Sequence, residues 1–183
     1  MEFSETEIGG VWMIRPRRFG DARGYFSETF KEAEFAAHIG AVHFVQDNES
    51  VSRRGVLRGL HYQRGAASQA KLVRVSRGTV VDVAVDLRRP SPTFGKYIAA
   101  RLSAEEGTQL FVPRGFAHGF YVVSDEAQFQ YKVDNVYCPE AEVSILWNDP
   151  ALAVAWPIEP GTEPLLSAKD LQGIPFGDAP LFD

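Results

Sequence analysis

The chain has 183 residues, 45% hydrophobic and 23% charged, with a formal net charge of −5. That suffices for one globular domain with a sizeable core, 1–183, and excludes a disordered or fibrous protein. No basic run exists to neutralise phosphates in series, which argues against a nucleic-acid polymer or an anionic membrane as partner and leaves phosphate recognition to a few placed arginines.

In chain order, Met1-Glu2-Phe3-Ser4-Glu5 is acidic and lacks a basic region followed by an apolar run, so no secretory signal is expected. Residues 11–14 read as a short strand stopped by Pro16, and residues 24–30 alternate like a second. Between them, residues 17–23 read as a basic loop with turn residues, either simply solvated or an anion site built on Arg23. Residues 31–39 are the one helix of the first half, ended by Gly40.

The next stretch organises the chain. Gln46-Asp47-Asn48-Glu49-Ser50 and Gly55-Val56-Leu57-Arg58-Gly59-Leu60-His61-Tyr62-Gln63 gather amides, a guanidinium and an imidazole. Their flanks, Phe44, Val45, Leu57 and Leu60, belong in a core. A buried polar group costs about 1–3 kcal/mol without a partner, so this density marks strands that line a ligand site, with His61 and Arg58 foremost. Simple alternation puts Arg58 and His61 on opposite faces, but Gly59 between them permits a bulge, and one is predicted there.

Strands then dominate. Residues 71–75 and 79–87 are joined through Arg77-Gly78, a connection of hairpin type. Alternation groups Lys71 with Val73 and Val75, and sets Val81, Val83, Val85 and Leu87 against Asp82 and Asp86. Further strands are expected at residues 96–102, 109–112, 119–123, 128–132 and 143–147, separated by turn signals. Short strands at this spacing indicate an all-β sandwich or barrel with a few short helices. The single cysteine, Cys138, cannot form an internal disulfide, which suits a reducing compartment, and no apolar stretch approaches a membrane span. A cytoplasmic location is expected. The tail, about 156–183, is rich in Pro and Gly and is expected to pack on the barrel, with a helical turn at residues 167–170.

Gly107 followed by Pro113-Arg114-Gly115-Phe116-Ala117-His118 resembles one of the two signatures of the cupin jelly-roll barrel. Where a metal cupin sets its ligands His, His, Glu and His, this chain has His61, Gln63, Lys71 and His118. A charged ammonium cannot ligate a metal, and two imidazoles alone hold a transition metal poorly, so the barrel is expected without its metal. What the replacements supply is a base beside a cation. A neutral imidazole can take a proton next to a ketone, a lysine can hold the oxyanion that develops, and Tyr131, on one strand face with Phe129, offers an acid. Taken singly, each reads more plainly as an ordinary strand residue.

Phe44-Val45-Gln46-Asp47-Asn48, the run from Gly55 to Gln63, Lys71-Leu72-Val73-Arg74-Val75, Pro113 to Phe120, Tyr131-Lys132 and Trp147-Asn148-Asp149-Pro150 together resemble the dTDP-4-dehydrorhamnose 3,5-epimerases. The resemblance implies a cofactor-free, metal-free enzyme that converts dTDP-4-dehydro-6-deoxy-D-glucose to dTDP-4-dehydro-L-rhamnose. It makes His61 the base, Asp170 its partner carboxylate, Tyr131 the acid and Lys71 the enolate stabiliser. It assigns the nucleotide sugar to Arg23, Glu28, Gln46, Asn48, Arg58, His118, Glu142 and Lys169, with aromatics such as Phe26 and Tyr137 to stack on thymine. It also implies a homodimer whose N-terminal segment reaches the partner's site. Two other readings stay open: an enzyme that inverts only C3 or C5, or moves the ketone, and a sugar-nucleotide binding module without turnover.

Overall fold

The computed structural model describes residues 1–183. Strands β1 (Glu2–Glu5) and β2 (Trp12–Arg15) open the chain, and β3 (Arg18–Asp21) with β4 (Gly24–Ser27) makes a separate hairpin. After helix α1 (Glu32–His38) come β5 (Gln46–Arg53), β6 (Leu57–Gln63), β7 (Lys71–Arg77), β8 (Thr79–Asp86) and β9 (Tyr97–Ser103). Then follow β10 (Gln109–Val112), β11 (Phe116–Val122), β12 (Glu126–Val133), β13 (Glu142–Ser144) and helix α2 (Ala168–Leu171).

Two antiparallel sheets face each other. One runs β1-β2-β10-β7-β12-β5 and the other β13-β6-β11-β8-β9. The core between them draws Val73, Val75, Leu110 and Phe129 from the first and Val80, Ala84, Leu102 and Phe120 from the second. A further cluster covers the outer face of the second sheet, where Leu60, Val83, Val85 and Leu87 meet Ile145, Leu152, Ala179 and the tail residues Trp156, Phe176 and Phe182. The tail therefore packs on the barrel. On the outer face of the first sheet, α1 sets Phe35 against Ile14, Leu72 and Phe111. Because β8 is covered on both sides, it reads as an almost unbroken apolar run.

Four expectations change. The chain between residues 75 and 79 is no hairpin: β7 and β8 lie in different sheets. Gly78, at φ +78, turns the chain at that corner, where a Cβ would collide with Glu126 O. The basic loop at 17–23 is largely strand β3, because Phe19 and Phe26 pair across the hairpin. The strand expected at 143–147 stops at Ser144, since Ile145 turns to bridge Ile174 in the tail. Val45 is exposed, because it shares the outward parity of Asp47 and Glu49 while Gln46, Asn48 and Ser52 turn inward.

Candidate active site

The bulge expected at Gly59 is present. Arg58 pairs with Phe120 and His61 with His118, so Gly59 and Leu60 of β6 stand opposite the single residue Gly119 of β11. Gly59 sits at φ +138, in the region glycine tolerates. The extra residue returns Arg58 and His61 to one face, and both open onto a cavity of about 290 Å³. Lys71, His118, Tyr131, Glu142, Lys169 and Asp170 line the same cavity.

His61 Nε2 lies 2.7 Å from Asp170 Oδ1, a close approach outside aligned hydrogen-bond geometry. Asp170 is buried and accepts from Gly59 N at 3.2 Å and from Ser167 N at 3.1 Å and Ser167 Oγ at 2.6 Å. Ser167 in turn caps α2 by accepting from Asp170 N, a reciprocal capping box. One short helix start thus delivers the carboxylate to the imidazole. Burial pushes the Asp170 carboxyl up, but its contacts with His61, Ser167 and Gly59 outweigh that and hold it down at about 2.

Facing His61 from the other sheet are Lys71 and Tyr131. Lys71 points inward from β7 beside Val73, and burial brings its ammonium down to about 8, against the pull of Asp82 and Glu142. Burial raises the Tyr131 phenol, and Arg58 only partly offsets it, so the hydroxyl keeps its proton at neutral pH.

From Glu142 on the cavity wall a chain of polar contacts leads to Tyr137, Gln46 and Asn48, which do not line the cavity themselves. Tyr137 Oη donates to Glu142 Oε2 at 2.6 Å, and Lys169 pairs with the other oxygen of Glu142. Lys169 and Tyr137 together keep Glu142 ionised against the upward push of burial. Gln46 Nε2 donates to Asn48 Oδ1 at 2.8 Å, and Gln46 Oε1 accepts from Tyr137 N at 3.4 Å. Asn48 stands in register with Tyr131. Arg58 Nε donates to Ser52 Oγ at 3.1 Å, which anchors the guanidinium. Gln63 has turned away to serve the backbone, donating to Ala67 O and accepting from Cys138 N.

Of the expected binding residues, Arg58, His118, Glu142 and Lys169 line the cavity, Gln46, Asn48 and Tyr137 reach it only through the contacts above, and three lie farther away. Arg23 sits at the tip of the β3–β4 hairpin with its side chain 90% exposed and paired to Asp21, Phe26 is 66% exposed on the same hairpin, and Glu28 is exposed just beyond it. None lines this chain's cavity. Conversely, the sequence reading passed over Ser52, Ser167 and Asp82. Asp82 is wholly buried, with both carboxylate oxygens 2.9 Å from His118 Nε2. Its signal was present: a charge inside Val80-Val81-Asp82-Val83-Ala84-Val85, a strand with no solvent face.

The sequence profile described as dTDP-4-dehydrorhamnose 3,5-epimerase matches residues 5–178. The chain belongs to the dTDP-4-dehydrorhamnose 3,5-epimerase family. A relative of that name from Pseudomonas aeruginosa is 52% identical over 183 residues, spanning 100% of this chain and 99% of its own. The crystal structure of the dTDP-4-dehydrorhamnose 3,5-epimerase from Elizabethkingia anophelis superposes with a TM-score of 0.93 at 49% identity, covering 97% of each chain. A dTDP-6-deoxy-D-glucose-3,5-epimerase from Legionella pneumophila, solved with dTDP-4-keto-L-rhamnose, also gives 0.93, at 45% identity over 98% of this chain and 94% of its own. The two facing sheets are thus the cupin-like β fold of these epimerases, and the chain is an isomerase of the epimerase class. No helix of this epimerase is long and apolar enough to cross a membrane.

Proposed function

We propose that this epimerase inverts C3 and C5 of dTDP-4-dehydro-6-deoxy-D-glucose with His61 as base, Tyr131 as acid and Lys71 as the cation at the ketone oxygen. The observation that carries the reading is that His61 reaches the cavity from one sheet while Lys71 and Tyr131 reach it from the sheet opposite. C3 and C5 both flank the C4 ketone, so a single cation can serve two successive deprotonations.

In each half of the reaction the imidazole nitrogen turned away from Asp170 takes the proton on carbon. The bonding pair moves into the ring and the carbonyl pair onto O4, where the Lys71 ammonium balances it. Asp170, ionised throughout the neutral range, stabilises the resulting imidazolium as a fixed counter-charge. Tyr131 then delivers its hydroxyl proton to the opposite face of the carbon and the enolate collapses to the ketone. Solvent restores both side chains.

Arg58 suits the pyrophosphate, since a guanidinium donates in a fork. Lys169, Gln46, Asn48, His118 and Glu142 supply further contacts around the sugar nucleotide, and Tyr137, held by Glu142, offers a face for thymine. Arg23, Glu28 and Phe26 act in the site of a second copy. What supports this homodimer is the β3–β4 hairpin, which leaves Phe19, Tyr25 and Phe26 48%, 60% and 66% exposed and bears these residues away from their own cavity.

The test is proton NMR in D₂O of the substrate with EDTA-treated enzyme, the downstream reductase and NADPH trapping product. Deuterium at both C3 and C5 with trapped dTDP-L-rhamnose supports the reading. Exchange at one carbon alone assigns a single-site epimerase, and none at either leaves a binding module.

A further inference from the structure

Behind the cavity lies a second carboxylate–imidazole pair with no part in the proton transfers above. Asp82 on β8 is 0% exposed and His118 on β11 is 7% exposed. The two residues sit on neighbouring strands, and His118 Nε2 is the sole hydrogen-bond partner of the Asp82 side chain. Asp82 does not line the cavity; His118 does.

We infer that Asp82 is a positioning residue with two effects: it fixes His118 with the proton on Nε2, and it supplies the counter-charge that keeps Lys71 an ammonium. This rests on the reading of Lys71 as the cation at the ketone oxygen.

The first effect follows from hydrogen-bond chemistry. An ionised carboxylate only accepts, so the nitrogen facing it carries the hydrogen. The other nitrogen, Nδ1, makes no hydrogen bond within the chain. Burial draws the His118 ring below its usual pKa, and Lys71 and His61 add to that, while Asp82 opposes it. A neutral ring held by Nε2–H presents a lone pair on Nδ1 to the cavity. His118 therefore accepts from a sugar hydroxyl and leaves the enolate oxygen to Lys71.

The second effect follows from which charges are already matched. Lys71 has no ion pair or hydrogen bond of its own, and Asp82 has no lysine or arginine in contact. Of the charges around Lys71, Glu142 on β13 is already held by Lys169 and Tyr137, and Lys169 on α2 repels. Asp82, across the barrel on β8, is the carboxylate left to balance the ammonium; burial pushes its own carboxyl up, and His118 first and then Lys71 pull it back toward the ionised form. A buried carboxylate without such a partner would be too costly to keep.

Asp82→Asn tests this because it is isosteric, retains an acceptor for His118 Nε2–H and deletes only the charge. Of the charges that favour the Lys71 ammonium, Asp82 is the largest, so losing it should move the alkaline limb of kcat/KM down by about one unit. At pH 7.5 kcat should fall roughly threefold, with dTDP affinity unchanged. An unmoved limb with full kcat overturns the inference.

Direct ¹⁵N titration of Lys71 Nζ decides the same point without turnover: a lower midpoint in Asp82→Asn supports it, and an unchanged one overturns it. Should Lys71→Met prove fully active, the reading of Lys71 falls, and this titration still judges the role of Asp82. If Asp82→Asn does not fold, the long-range ¹H–¹⁵N spectrum of the wild-type imidazoles, assigned with His118→Gln, reads the tautomer. An Nε2–H pattern for His118 supports the inference and an Nδ1–H pattern overturns it.

Discussion

Gly59 and Gly119 approach each other so closely across β6 and β11 that a Cβ on Gly59 would stand 2.6 Å from Gly119 Cα, and one on Gly119 would stand 2.7 Å from Arg58 O. This contact closes the bulge that puts Arg58 and His61 on one face. Backbone cannot give way there as a flexible side chain could. Gly59→Ala and Gly119→Ala should each lose about 1–3 kcal/mol of stability and at least roughly tenfold in kcat/KM. Urea unfolding and turnover check this; wild-type values in both would show that the bulge does not set the site.

Asp170 joins stability to catalysis. Its carboxyl titrates at about 2 in the fold against an ordinary 3.8, so the stabilisation it brings is complete above about pH 4 and is lost as pH falls through 2. At 1.36 kcal/mol per unit this amounts to about 2 kcal/mol. Asp170→Asn should therefore be less stable at pH 7, and its deficit should shrink as acid unfolding is followed from pH 5 downward. Its kcat should drop by roughly 10²–10⁴ as the imidazolium loses its counter-charge. A deficit independent of pH would place the effect in the α2 cap instead.

These two cases mark how far the chain could be read unaided. Glycine between two polar residues of opposite parity announced the bulge, because period-two alternation leaves no other way to bring Arg58 and His61 together. Lys71 and Tyr131 were legible through alternation with Val73 and Phe129. Asp170 was not legible from its neighbours, since a Ser-x-x-Asp turn in a Pro- and Gly-rich tail looks like a helix cap alone; it is one, and the long-range contact with His61 comes from the tail folding back. Gly78 misled for a related reason. A positive-φ glycine marks a sharp turn but not whether the chain re-enters the same sheet or crosses to the facing one. Asp82 was placed on the correct face of β8, but nothing local revealed that this face looks into the barrel.

Tyr131 divides the reaction in time. Replacing it with Phe removes the acid but leaves His61, Asp170 and Lys71 in place, so abstraction at carbon should continue while inversion stalls. In D₂O, Tyr131→Phe should lose trapped product by roughly 10²-fold or more while retaining a larger share of substrate-side exchange. Equal losses in exchange and product would mean that the phenol also acts in the first step.

Lys71 sets an upper pH limit. Its ammonium persists below about pH 8 and is lost above it, so kcat/KM of the free enzyme should decline on that side. Lys71→Arg places a group that does not titrate in this range, and whatever activity it keeps should lack that limb. A limb of the same midpoint in Lys71→Arg would assign it to another group.

Arg58 should matter for binding more than for chemistry. Its guanidinium, anchored through Ser52, makes charge-assisted contacts worth about 1.5–3 kcal/mol each, so Arg58→Ala should weaken dTDP binding by roughly 10- to 100-fold in calorimetry. Unchanged affinity would remove Arg58 from the pyrophosphate site.

The central claim is that a single imidazole, His61, removes the protons on both sides of the ketone. It is tested most directly by deuterium incorporation at C3 and C5 of dTDP-4-dehydro-6-deoxy-D-glucose in D₂O with the His61→Asn enzyme, whose dTDP affinity is measured alongside. The account predicts that exchange at both carbons falls together by roughly 10²–10⁴ while nucleotide affinity holds. Exchange persisting at the wild-type rate at either carbon would contradict it and give that carbon a different base.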